Sequence, residues 1–156
     1  DEMKLEAMLI RARSLFKTGE MLLAKSQFRE IVEFSQGEAG AEAKYRVAEI
    51  AFGLDDLEAA EKDVFELINQ YAPYDYWAAS GFILLADIYL EKDNAFQAKQ
   101  TLQSIIDNYE GEELKAVARD KLDKILSKEA AAEGDSLAEP AETIDINENG
   151  NNPENR

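Results

Sequence analysis

Three pairs of alanines stand twelve residues apart in this 156-residue chain: Ala12 with Ala24, Ala48 with Ala60, and Ala86 with Ala98. The pairs begin 36 and 38 residues apart, and each carries the same trailing pattern. Counted from the first Ala, a large apolar residue follows at +16 (Phe28, Val64, Leu102), at +19 (Ile31, Leu67, Ile105) and at +20 (Val32, Ile68, Ile106). In an antiparallel helix pair, a small residue on each helix lets the two backbones approach, and large residues one turn on fill the space beside the contact. A single pair of this size leaves an apolar face uncovered. Successive pairs must therefore stack, and stacked pairs make a solenoid.

The local pattern agrees. Apolar residues recur at steps of three and four, as in Leu57, Ala60, Val64, Leu67 and Ile68, and residues 1–128 carry almost no strand signal. Turn residues interrupt at Thr18-Gly19, Gln36-Gly37, Asp55-Asp56, Ala72-Pro73, Asp93-Asn94 and Glu110-Gly111. Gly supplies positive φ after a helix, Asp and Asn accept from the orphan amides that open one, and Pro73 biases Ala72 away from helix. The prediction is seven helices near 3–17, 20–35, 38–53, 56–70, 75–92, 95–108 and 112–127. The fold class is all-α: a right-handed solenoid of antiparallel pairs, with repeats at about 3–36, 38–73 and 75–110 and a capping helix at 112–127.

Composition narrows the function. With no His and no Cys, the usual zinc, haem and iron–sulfur ligands, thiol nucleophiles and imidazole-based triads are missing. Neither cofactor nor metal is expected. Thirty-three acids against seventeen bases give a formal charge of −16, which argues against a nucleic-acid surface of clustered Lys and Arg. The longest strongly apolar run, Phe82 to Ala86, is too short to insert in a bilayer. The absence of Cys fits any redox compartment, leaving cytoplasm and bacterial envelope both open. From Glu129 to Arg156 there are eight acids, one base and no aromatic residue, so 129–156 is expected to be a disordered acidic tail, with Ile144 and Ile146 its only candidates for folding on a partner. That tail holds −7 of the −16. A chain opening at Asp1 without Met or a signal peptide is expected to be a piece of a longer protein or a processed form.

The repeats resemble the tetratricopeptide repeat family. Leu85-Ala86-Asp87-Ile88-Tyr89 followed by Ala98-Lys99-Gln100-Thr101-Leu102 is the best match to its pattern; Ala12, Leu15, Gly19, Ala24 and Phe28 form a second match, and Val47, Ala48, Ala51, Ala60, Val64 and Pro73 a third. The run Tyr76 to Tyr89 with Phe96 to Gln100 resembles the last full repeat of large bacterial multi-repeat members. Departures are Ala in place of the consensus Gly, and Met8 and Lys44 near the usual Trp position. The resemblance implies a non-catalytic module that binds a protein or peptide through its concave face, as part of a larger scaffold. The alternative is a purely structural end of a longer superhelix; a carboxylate-based hydrolase is a distant third, since acids alone give no specific catalytic pattern.

The resemblance also places residues −3, +1 and +4 from each repeat Ala on the concave surface. These are Leu9, Arg13 and Phe16; Tyr45, Glu49 and Phe52; and Ile83, Asp87 and Leu90. Glu49 and Asp87 would repel a C-terminal carboxylate, so a carboxylate clamp is rejected in favour of an apolar or basic segment. Each aromatic here has packing between repeats as its alternative role. The cluster Tyr71, Tyr74, Tyr76 and Trp77 is the second candidate, again with an alternative as an inter-repeat wedge. Leu5, Met8 and Leu9 of the first helix are expected to be exposed, offering a face for upstream repeats or for self-association.

Overall fold

The computed structural model describes residues 1–137, and among these it contains seven helices and no strand. They are α1 (Glu2–Lys17), α2 (Met21–Phe34), α3 (Glu38–Gly53), α4 (Leu57–Gln70), α5 (Asp75–Glu91), α6 (Ala95–Asn108) and α7 (Glu112–Leu137). Consecutive helices pack as antiparallel pairs, and the pairs stack into a solenoid. The inner helices form a continuous row, α1 against α3, α3 against α5 and α5 against α7, whereas α2, α4 and α6 do not touch one another. Contact along one side and splay along the other is what a wedge-shaped repeat produces.

The alanine pairs are the hinge of this arrangement. Ala12, Ala24, Ala48, Ala60, Ala86 and Ala98 are all fully buried, as are Phe28, Val64 and Leu102 at +16. Ile31, Leu67 and Ile105 at +19 are buried, while Val32, Ile68 and Ile106 at +20 lie half-buried at the edge of the same clusters. A further regularity sits in the turns. The residue seven after each first Ala has positive φ: Gly19 at 83°, Asp55 at 62° and Asp93 at 56°. Only a left-handed residue there ends one helix and reverses the chain within three positions, and Asp tolerates that region better than most side chains. The following Asp56 and Asn94 accept from the amides of Ala59 and Gln97, both at 3.2 Å, and so open α4 and α6.

Polar groups tie the helices, within a repeat and between repeats, where apolar packing stops. Lys44 on α3 is buried, donating to Asp63 of α4 at 2.8 Å and to Glu66. Burial opposes its charge, but the two carboxylates outweigh burial and hold Lys44 above its usual 10.5. Glu66 is correspondingly held below 4.5 by its bond from Lys44. Tyr71, fully buried, donates to the Ser35 carbonyl at 3.0 Å across the first inter-repeat junction. Gly40 makes that junction possible, since a Cβ there would lie 2.0 Å from the same carbonyl oxygen.

Two expectations change. Leu9 is buried and Leu5 and Met8 pack half-buried against the first cluster, because that stripe of α1 faces α2 and α3. The large apolar residues α1 leaves exposed are Met3 and Ile10. The last helix does not stop near 127: α7 runs on to Leu137, so residues 129–137, assigned to the tail on composition, are helical. Lys99 of α6 donates to Glu129 at 2.9 Å, and Ala130 to Ala132 favour helix continuation. The expectations for Ile144 and Ile146 fall outside the described residues.

Candidate functional site

The inner row of helices carries an open groove of about 400 Å³ spanning α3, α5 and α7. From α3 it receives Tyr45, Glu49 and Phe52, and from α5 it receives Ile83 and Asp87. These come from the first set of candidates. Tyr76 and Trp77, from the second set, line the same groove, so the structure merges two clusters that were separate along the chain. The merger follows from the helix register. Tyr45 and Trp77 meet across the α3–α5 seam with ring centroids 5.7 Å apart, and Tyr76 stands edge-on to Trp77 at 5.0 Å.

The other candidates lie elsewhere. Leu9 is in the core of the first pair, and Arg13 lies against α3, its guanidinium bound to both carboxylate oxygens of Glu42. That hydrogen bond raises the Arg13 pKa further. Phe16 sits beneath the Arg46 guanidinium, 5.2 Å from its ring centre. Leu90 lines the next depression along α5 and α7. Tyr71 is fully buried and Tyr74 packs on it with ring centroids at 6.5 Å, so this half of the aromatic cluster is a wedge between repeats.

The acids that line the groove are paired from within it. Arg46 donates to Glu49 at 2.7 Å, and Lys121 of α7 donates to the two oxygens of Asp87 at 2.8 and 3.0 Å. Each acid in the groove thus has its own cation, and what the groove presents is aromatic surface with little net charge. Burial, with the nearby charge of Glu49, pushes the Tyr45 hydroxyl up to about 12, so it stays a neutral donor throughout the physiological range. The Trp77 indole N–H is buried without a hydrogen-bond partner among the described residues.

Arg46, Val117 and Lys121 line this groove but are not among the sequence candidates. Arg46 and Glu49, three apart on one helix, carried a local signal for their pair. Lys121 carried none, because its partner is 34 residues away.

A family model for the tetratricopeptide repeat-like domain matches residues 36–139, two thirds of the chain. The chain belongs to this family. No curated protein matches it. A tetratricopeptide repeat-like domain is in general a protein-interaction module and typically a non-enzymatic one. The match begins just before α3, so all three helices of the groove lie within it, while the pair α1–α2 precedes it. No described helix is long and apolar enough to cross a membrane, and among the described residues no three potential metal ligands converge.

Proposed function

We propose that this tetratricopeptide repeat-like chain binds an apolar peptide segment, or an apolar helix face of a partner domain, in the α3–α5–α7 groove, as a non-catalytic element of a larger bacterial scaffold. The observation that carries the reading is the conjunction of Tyr45, Phe52, Tyr76 and Trp77 in one open groove whose acids are already neutralised from within. A basic ligand would have to displace Arg46 or Lys121, and a free carboxylate would find both cations engaged. An apolar segment displaces neither. Tyr and Trp favour such a role because they bury a large area at little conformational cost and keep a polar end for a backbone group.

Selection from a displayed peptide library tests this. Tyr76 and Val117 are 45% and 39% exposed, so replacing both by Ser removes groove surface without opening the core. Enriched peptides should carry apolar residues at helical or alternating spacing and bind Tyr76→Ser/Val117→Ser at least about tenfold more weakly, since burying one such side chain is worth about 1.5–3 kcal/mol. Tyr45→Ala/Phe52→Ala, checked for helicity by circular dichroism, should lose binding altogether. Peptides that bind all three proteins equally would place the interaction elsewhere.

A further inference from the structure

The depression beyond the aromatic groove, about 620 Å³ between α5 and α7, shares Asp87 and Lys121 with it, so the two form one channel along the inner row. The ion pair of these two residues is the sill between the compartments. On α7 the channel runs from Val117 in the first compartment to Ala132 in the second, fifteen residues or about 22 Å. Ile83 and Leu90 mark the two compartments on α5, seven residues and about 10.5 Å apart. Val117, Lys121, Lys124 and Lys128 follow one another at steps of four, three and four, so a single face of α7 lines both compartments.

The second compartment differs from the first in what its walls carry. Leu90 and Ile125 are its apolar floor, Lys124 and Lys128 stand on the α7 wall, and Glu91 and Asp93 on the wall made by the end of α5 and the turn after it. Lys128, Glu91 and Asp93 make no ion pair among the described residues, and Lys124 pairs with the exposed Asp120 of its own helix. An occupant must therefore offer an apolar stripe below and opposite charges to the two sides. An extended chain sends alternate side chains up and down, and would lay about seven residues of unpaired backbone along the channel. No Asn or Gln, the side chains that pair with both the N–H and the C=O of a peptide unit, lines either compartment among the described residues. The Ser80 hydroxyl already donates to the Tyr76 carbonyl at 2.8 Å. A helix brings its backbone satisfied and presents a stripe with two flanks at once.

We propose that the occupant of the groove is an amphipathic α-helix of about four turns lying along α5 and α7, with two apolar anchors about seven residues apart. This rests on the groove reading above and narrows it from any apolar segment to a helix. One anchor enters among Tyr45, Tyr76 and Trp77, the other lies over Leu90 and Ile125, and the turn between them crosses the Asp87–Lys121 pair. The residues just before and just after the second anchor fall about 100° to either side of it. The one facing Lys124 and Lys128 is acidic and the one facing Glu91 is basic, and their order along the helix sets its direction in the channel.

The test selects fully randomised displayed peptides of about 18 residues on the full 156-residue chain, then titrates the recovered sequences as synthetic peptides. These should carry apolar residues at i and i+7, with opposite charges flanking one of them, and should gain helical circular dichroism on binding. A proline placed between the anchors should weaken binding at least about tenfold. Lys124→Glu/Lys128→Glu, at exposed positions, should weaken it about fivefold at low salt, and exchanging the peptide's acid for Lys should recover that loss. Peptides that lose affinity for Tyr76→Ser/Val117→Ser yet tolerate the proline, or ignore the reversal at Lys124 and Lys128, would overturn the helical occupant and leave the groove reading standing. If no recovered peptide responds to Tyr76→Ser/Val117→Ser, both fall.

Discussion

Replacing Lys44 by Met keeps the aliphatic stem that packs between α3 and α4 and removes only the ammonium. The side chains of Lys44 and Asp63 are 10% and 12% exposed, so the variant leaves a carboxylate buried beside a thioether, whereas Glu66, at 36%, turns back to water. Breaking a buried pair by deleting one partner costs about 3–5 kcal/mol. With one of the two acids able to resolvate, the lower end applies, about 3 kcal/mol, or roughly 10 °C in Tm for a domain of this size. The double variant Lys44→Met/Asp63→Leu should restore most of this, since an apolar replacement of the whole pair leaves nothing unpaired. Urea denaturation followed by circular dichroism measures both. The pH dependence gives a second reading. Glu66, held below 4.5, contributes stability that is complete above that pH and is lost as pH falls through its depressed pKa; Lys44, held above 10.5, contributes stability that is complete below that pH and is lost as pH rises through its raised pKa. The wild-type advantage over Lys44→Met should therefore be flat between pH 4.5 and 10.5 and shrink on both sides. A loss below about 1 kcal/mol at pH 7, or a double variant no better than the single, would refute the claim that this triad ties α3 to α4.

Tyr71→Phe should cost about 1–1.5 kcal/mol by removing the donor to the Ser35 carbonyl, and hydrogen exchange should localise the loss to the α2–α3 junction rather than to α6 and α7. Gly40→Ala should be far worse, by more than about 3 kcal/mol in chemical denaturation, because its Cβ meets a backbone oxygen that cannot retreat. Gly53→Ala, where a Cβ meets nothing within 4 Å at the last residue of α3, should instead leave Tm unchanged or raise it slightly. Trp77→Phe should cost less than about 1 kcal/mol despite the smaller ring, since it also removes a buried N–H with no partner; a loss above about 3 kcal/mol would mean that the indole nitrogen is hydrogen-bonded in solution.

Much of the architecture was written in spacing. Ala12, Ala48 and Ala86 with their partners twelve on, and the large residues at +16 and +19, are local consequences of a helical period and a short turn, and all of them are buried. The turns at Gly19, Asp55-Asp56 and Asp93-Asn94 were legible because Gly suits positive φ and Asp and Asn suit a cap, but that Asp55 and Asp93 take the left-handed position while Asp56 and Asn94 cap was decided by the structure. Composition was a weaker guide at the end of the chain. It reports what a segment can bury and not what a neighbour offers it, so the helical 129–137, held through Glu129 to Lys99, was read as tail.

The groove lies on the far side of that division. Tyr45, Phe52, Ile83 and Asp87 could be placed on the inner helices by counting from the repeat Ala, yet Leu9 and Arg13 by the same count lie in a core and in an ion pair. Only the stacking of helices decided that Tyr76 and Trp77 join Tyr45 and that Lys121 neutralises Asp87. Helix periodicity is a property of neighbours along the chain and can be counted. Charge pairing and surface continuity depend on where the rotation between successive pairs sets side chains some thirty residues apart, and no local period encodes that rotation.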